Sequence, residues 1–341
     1  MGTGDRSGRG MRLSSGPAGD DHELRAVLQD VASGYWMSMQ DLLLRTEAGV
    51  LRTEAGADWA QWTFRTQVLG AASAGTTVVQ TWQREVPDSR PASVMRARVA
   101  VERALRANRI GDVQHLQSLW WTASAACAAA AEAAPHDPVP FLCRLALAEL
   151  DPGQVDPEHR RHAPDPQLFP GPWGLLAEVD RRDPGNREAY HRMARYFLVR
   201  KGGSVAHQDF FARWVADGAP AGSALLALPL YVAVERWRAT HTGRESLDAS
   251  LYWVTDRALE RARVAYREWF AVTPSRRLTQ DMNYLAHALW SSQQYGPAAE
   301  VFRALGPHAS PRPWLYLVAD GARWERLFLD AHEASLANGS P

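Results

Sequence analysis

The sequence predicts an all-α protein built from helix-turn-helix repeats, and three observations carry that expectation. Apolar residues recur every three or four positions along most of the chain. No stretch keeps the period-two alternation of a half-buried strand. In the second half, large residues and alanines return at the offsets that pair one helix with the next. With 341 residues, of which 46% are hydrophobic, the chain is long and apolar enough for a folded body of one or two domains. Its 38 basic and 38 acidic side chains cancel, which removes the strongly basic footprint of a nucleic-acid-binding domain, so binding of that kind would have to be local.

Residues 1–20 are mostly Gly, Ser and Arg with no apolar run, and they read as a disordered tail rather than a secretory signal. Asp20 or Asp21 then caps a first helix, with Glu23 in its first turn and Leu24, Val27, Leu28, Val31 and Tyr35 at helical spacing, running to about Glu47. A tandem heptad follows, LRTEAGV at 44–50 and LRTEAGA at 51–57. Its glycines Gly49 and Gly56 weaken a helix, so it reads as a loop or a frayed end. The Trp-rich helix of Trp59, Trp62, Phe64, Val68 and Leu69 is expected to be interrupted near residues 70–75. A helix over 78–86 is closed by Pro87, and further helices are expected over 92–107, 113–134 and 139–150.

Residues 151–172 are rich in proline and poor in periodicity, so they read as a connector between an N-terminal helical lobe, 21–150, and a second helical lobe, 173–341. No apolar run reaches the ~20 residues of a membrane span. Cys127 and Cys143 lie in apolar helical surroundings, where a free thiol is a small buried hydrophobe. Together these readings place the chain in the cytoplasm, away from membranes. Lys201 is its single lysine, and the use of arginine elsewhere suggests a GC-rich bacterial genome.

The repeat signal is sharpest after residue 187. Tyr190, Met193, Ala194 and Phe197 occupy first-helix positions, with Ala206 and Phe210 at second-helix offsets; Met282, Leu285, Ala286 and Leu289, with Ala298 and Phe302, form a second copy. Ala262, Tyr266 and Pro274 match a closing half, and Trp314, Leu317 and Val318 an opening half. The spacing has a cause: large side chains fill the space between two helices while a small alanine lets them cross closely. On these residues, the segment from about Arg187 to Glu333 resembles the tetratricopeptide-repeat family. The resemblance implies an α-solenoid, a superhelix of helix pairs whose concave face binds a peptide or another protein.

Candidate chemistry is sparse. The acids of Asp20, Asp21, His22 and Glu23 superficially resemble a carboxylate-rich metal motif, but a helix N-terminus explains them better. His159 and His162 are three apart, yet they sit in the Pro-rich segment beside arginines and read as a solvated loop. No catalytic or phosphate-binding motif is present, so no catalytic residue, metal or cofactor is expected. Arg90, Arg96, Arg98, Arg103, Arg106 and Arg109 load one helix with positive charge, an exposed face or a dock for an acidic partner.

The expected function is therefore a non-enzymatic scaffold or adaptor for an unidentified protein or peptide. Its contacts are assigned to Arg187, His191, Asn283 and His287, because their neighbours Tyr190, Met193, Ala194, Leu285 and Ala286 are assigned to packing. The alternative is an all-helical enzyme or small-ligand carrier with an apolar pocket lined by the N-terminal tryptophans Trp36, Trp59, Trp62, Trp82, Trp120 and Trp121.

Overall fold

A computed structural model describes residues 11–50, 58–240, 252–253, 255–273, 277–318 and 321–339. Among these residues the protein is all-helical: fifteen α-helices, short 3-10 turns, one π-helical turn and no β-strand. The chain divides into two compact units, Asp21–Arg236 and Met1–Asp20 with Trp237–Pro341.

The larger unit begins with α1 (His22–Ala32) and α2 (Met37–Val50). Asp21 caps α1, accepting from the Leu24 N–H at 2.9 Å, and both Asp21 and Glu23 bind the Arg65 guanidinium at 2.8 Å. The helix-start reading of these acids therefore holds. The single helix expected to Glu47 is broken instead at residues 33–36, where Gly34 takes a φ of 89° that a side-chain-bearing residue rarely adopts. The first heptad copy belongs to α2 as far as Val50, while the second lies outside the described residues.

Next come α3 (Ala60–Ser73), α4 (Val78–Glu85), α5 (Arg90–Ile110), α6 (Val113–Ala133) and α7 (Pro138–Leu147). The expected interruption near residues 70–75 falls at its far end: α3 runs through Gly70 to Ser73, and residues 74–77 separate it from α4. At Gly70, α3 runs so close to α5 that an added Cβ would stand 2.8 Å from the Arg98 Cβ; the glycine marks a helix crossing. Ser89, Asp112 and Asp137 supply the side-chain caps that start α5, α6 and α7. The expectation of an exposed arginine face on α5 holds for Arg90, Arg96, Arg106 and Arg109, which are exposed, whereas Arg103 is half-buried and Arg98 is buried. The remaining sides of this helix pack against α2, α3, α4, α6 and α7 and bury residues between Pro91 and Ala107.

The Pro-rich segment 151–172 lies inside this unit rather than between the two. Leu168 joins a core with Phe141, Trp173, Phe197 and Phe211, and His159 is buried, its Nδ1 2.9 Å from an Asp151 carboxylate oxygen. The solvated-loop reading fails for His159 because that carboxylate gives the ring a partner below the surface. The unit continues with α8 (Trp173–Asp180), α9 (Arg187–Val199) and α10 (Val205–Gly218); α11 (Leu228–Thr240) runs across the division. Helices α9 and α10 do pair as a hairpin, with the Phe197 and Phe211 rings 5.1 Å apart. The inward register is one residue from that expected: Phe211 and Ala212 are buried, while Ala206 is exposed and Phe210 half-buried.

In the smaller unit, α12 (Asp256–Val264) leads through the π-turn to α13 (Thr279–Ser291), α14 (Tyr295–Leu305) and α15 (Trp324–Asn338), each packed on the next. Leu285, Ala286, Leu289, Ala298 and Phe302 are all buried here, as the repeat spacing requires. Trp314, Leu317 and Val318 do not open a further helix pair. Trp314–Leu317 is a 3-10 turn after the cis Arg312-Pro313 bond, and Trp314 plugs the core against Phe302 and Phe328. Pro274 lies outside the described residues. Residues 11–20 are no tail: the Ser14 N–H donates to the Pro307 carbonyl at 2.8 Å, and Ala309 N–H returns a bond to Ser14 at 3.0 Å. Residues 1–10 of the expected tail are outside the described residues.

Candidate interaction surface

Arg187 and His191 stand one turn apart on α9, and both meet Tyr231. The Arg187 guanidinium donates to the Tyr231 hydroxyl at 2.9 Å, and the half-buried His191 ring lies edge-on to the Tyr231 ring with centroids 4.5 Å apart. His191 Nε2 is buried without a hydrogen-bond partner. Burial, followed by the charges of Arg187 and Arg192, holds this imidazole well below its ordinary value, so it is neutral.

Asn283 and His287 are one turn apart on α13, and both are fully buried, which removes them from any accessible face of their unit. The Asn283 side-chain carbonyl accepts from the Trp314 Nε1–H at 3.0 Å and the Ser310 backbone N–H at 3.2 Å, while its amide donates to the Thr279 carbonyl at 2.8 Å. His287 sits between the rings of Trp253 and Trp314, at 5.0 and 5.4 Å, and burial pulls it down to about 3. Both were expected to touch a partner; both instead satisfy and fill the core. A polar residue on a helix face gives the same sequence signal in either role, so spacing alone did not separate them.

The basic helix divides its charge between one buried ion pair and partners at the surface. Arg98 is buried, donating to Glu188 at 2.8 Å and to the Thr63 carbonyl at 3.2 Å, and Arg192 meets Glu188 and Glu149 at 3.3 and 3.4 Å. Burial alone would raise the Glu188 carboxyl, but Arg98 and Arg192 more than offset it and keep the group ionised. Arg103 donates to the Ala74 and Thr76 carbonyls, Arg106 to that of Ala71, Arg109 to Glu102, and Arg90 pairs with Glu47. The thiols of Cys127 and Cys143 are both buried, and their interaction with each other raises the first and lowers the second.

What the larger unit leaves uncovered is one side of α6. Ala123, Ala126, Cys127 and Ala130 are buried, while Gln114, Ser118, Trp121, Thr122, Ala125, Ala128, Ala129 and Glu132 face outward. Trp121 is 62% exposed, Val113 at the start of the helix is 76% exposed, and Ile110 at the end of α5 is 79% exposed. Residues 113–131 contain no Asp, Glu, Lys or Arg in a protein that is 22% charged. The alanines that make the helix look like core on a propensity scale lie on both of its sides. The other tryptophans singled out in the N-terminal half are buried or half-buried, Trp62 with its N–H on Asp137 at 2.9 Å and Trp82 stacked on Trp36.

Among the described residues no three His, Cys, Asp or Glu side chains form a group able to hold a metal ion, and no helix is long and apolar enough to cross a membrane. Comparison with protein-family models, with curated proteins and with solved structures finds no match to this chain.

Proposed function

We propose that the protein is a protein-interaction scaffold and that its partner seats on the outer face of α6. The observation that carries this reading is the uncharged, Trp-bearing stripe from Gln114 to Ala129. Depletion of charge with an exposed aromatic is what distinguishes an interface core from ordinary surface. A large apolar side chain left in water gives up roughly 1.5 to 3 kcal/mol of burial, which a partner recovers by covering it. The helix pairs α9 and α10, and α13 to α15, support the solenoid part of the proposal, since each packs on the next along the chain as repeats of that kind do.

The reading is tested by Ala125→Arg, which sets a long charged side chain in the middle of the stripe on a helix position that arginine suits. The tagged chain, cross-linked and recovered from its own cells, should carry a stoichiometric protein that is lost in the variant and kept in an Arg96→Gln control. Retention of the same partner by Ala125→Arg, with unchanged helical circular dichroism, rejects the α6 face.

A further inference from the structure

The occupant of this face can be specified from the order of side chains along it, an inference that rests on the surface reading above. We infer that α6 pairs with α6 of a second copy of the chain, antiparallel and with the two-fold axis passing beside Ala125.

A two-fold interface requires a patch complementary to itself, so that a residue before the centre meets one after it. With a rise of ~1.5 Å per residue, Trp121 lies about 6 Å before Ala125 and Ala128 about 4.5 Å after it, and at ~100° per residue the two project to the same side of the stripe. Antiparallel pairing therefore sets the indole of each copy over the small Ala128 of the other, a bulky group against a flat place, twice. Thr122 and Ala129 oppose each other in the same way on the other flank. The one charged residue in the stripe, Glu132, falls opposite Ser118 and is kept from its own symmetry mate, so no like charges meet. Alanine at the centre lets two backbones approach closely, and a chain of zero net charge carries no long-range repulsion against its copy. A parallel arrangement would instead bring the two Trp121 rings to the same level and leave Ala128 facing Ala128.

The stripe is about 30 Å long and 10 Å wide, roughly 300 Å² on each copy against the ~800 Å² of a standard interface. The dimer is accordingly weak, dissociating on the order of 10 to 100 μM.

The full-length chain should sediment as monomer near about 1 μM and as dimer by several hundred μM. Ala125→Arg should remain monomeric throughout with unchanged helical content. A monomer at every concentration, or a dimer that Ala125→Arg leaves intact, overturns the inference. Direction is read by oxidation of cysteine pairs. Ser118→Cys mixed with Glu132→Cys should cross-link at least tenfold faster than Ser118→Cys alone, whose two sulfurs would sit about 21 Å apart along the axis. Equal rates overturn the antiparallel register. A photo-reactive residue at Ser118 in living cells separates this inference from the reading beneath it. Cross-links to the chain itself support self-pairing. Cross-links only to another protein overturn self-pairing and keep the interaction surface, whereas none at all overturns both.

Discussion

At the scale of single residues, the buried polar groups carry the sharpest consequences. Asn283 is the acceptor for both Trp314 Nε1–H and the Ser310 N–H, so Asn283→Ala strands two donors in an apolar surround. A loss of roughly 3 kcal/mol in a denaturant titration is expected, several times that of a surface alanine substitution. In the larger unit, Glu188→Ala leaves Arg98 buried and without its carboxylate, at a cost of about 3 to 5 kcal/mol, while the double variant Arg98→Met with Glu188→Leu should recover most of that loss. His287 gives a pH dependence. Its folded value of about 3 lies below the 6.5 of an ordinary imidazole, so the unfolded state takes up the proton first, and stability present above pH 6.5 is lost as pH falls toward 3. At about pH 4.5 the loss is on the order of 2 to 3 kcal/mol, and His287→Phe should flatten the slope in that window. Asp137 acts with the opposite sign, since burial raises its carboxyl to about 7 and the folded state then holds the proton more tightly than the unfolded one between pH 3.8 and 7.

At the scale of elements, composition misled where one residue type serves two purposes. Within the break expected at residues 70–75, α3 continues through Gly70, where α5 crosses it closely, and ends at Ser73. Gly70→Val should destabilise the larger unit by roughly 2 kcal/mol by forcing α3 and the Arg98 stem apart, measured as a lower denaturation midpoint. Gly34, by contrast, does end a helix, and its neighbours differ accordingly: it follows Ser33 in a turn-forming pair, whereas Gly70 stands between the helix formers Leu69 and Ala71. Six arginines on α5 read as an exposed face, and four of them are exposed; Arg98 is buried, and Arg103 and Arg106 donate to the Ala74, Thr76 and Ala71 carbonyls at the end of α3. On α6 the reverse holds: a run of alanines that looks like core lies half in water.

At the scale of the whole molecule, the two units should respond separately to acid. Between pH 7 and about pH 4.5 the amides of α13, around His287, are expected to lose protection against hydrogen exchange while those of α5 keep theirs, because the ionic groups around Arg98 remain charged in that range. Equal loss in both helices would show that His287 does not govern the change. The helical class, most helix positions, the cap at Asp21, and the hairpin of α13 with α14 were legible in the sequence, because helical period, capping and proline act within a few residues of one another. Which face of each helix is buried was decided by tertiary structure. The same polar pair one turn apart, Asn283 and His287, is interior, whereas Gln114 and Ser118 on α6 stay in water, and the difference lies in neighbours brought from distant parts of the chain. Trp314 reaches Asn283 from 31 residues away and Glu188 reaches Arg98 from 90, separations over which local pattern carries no information about contact.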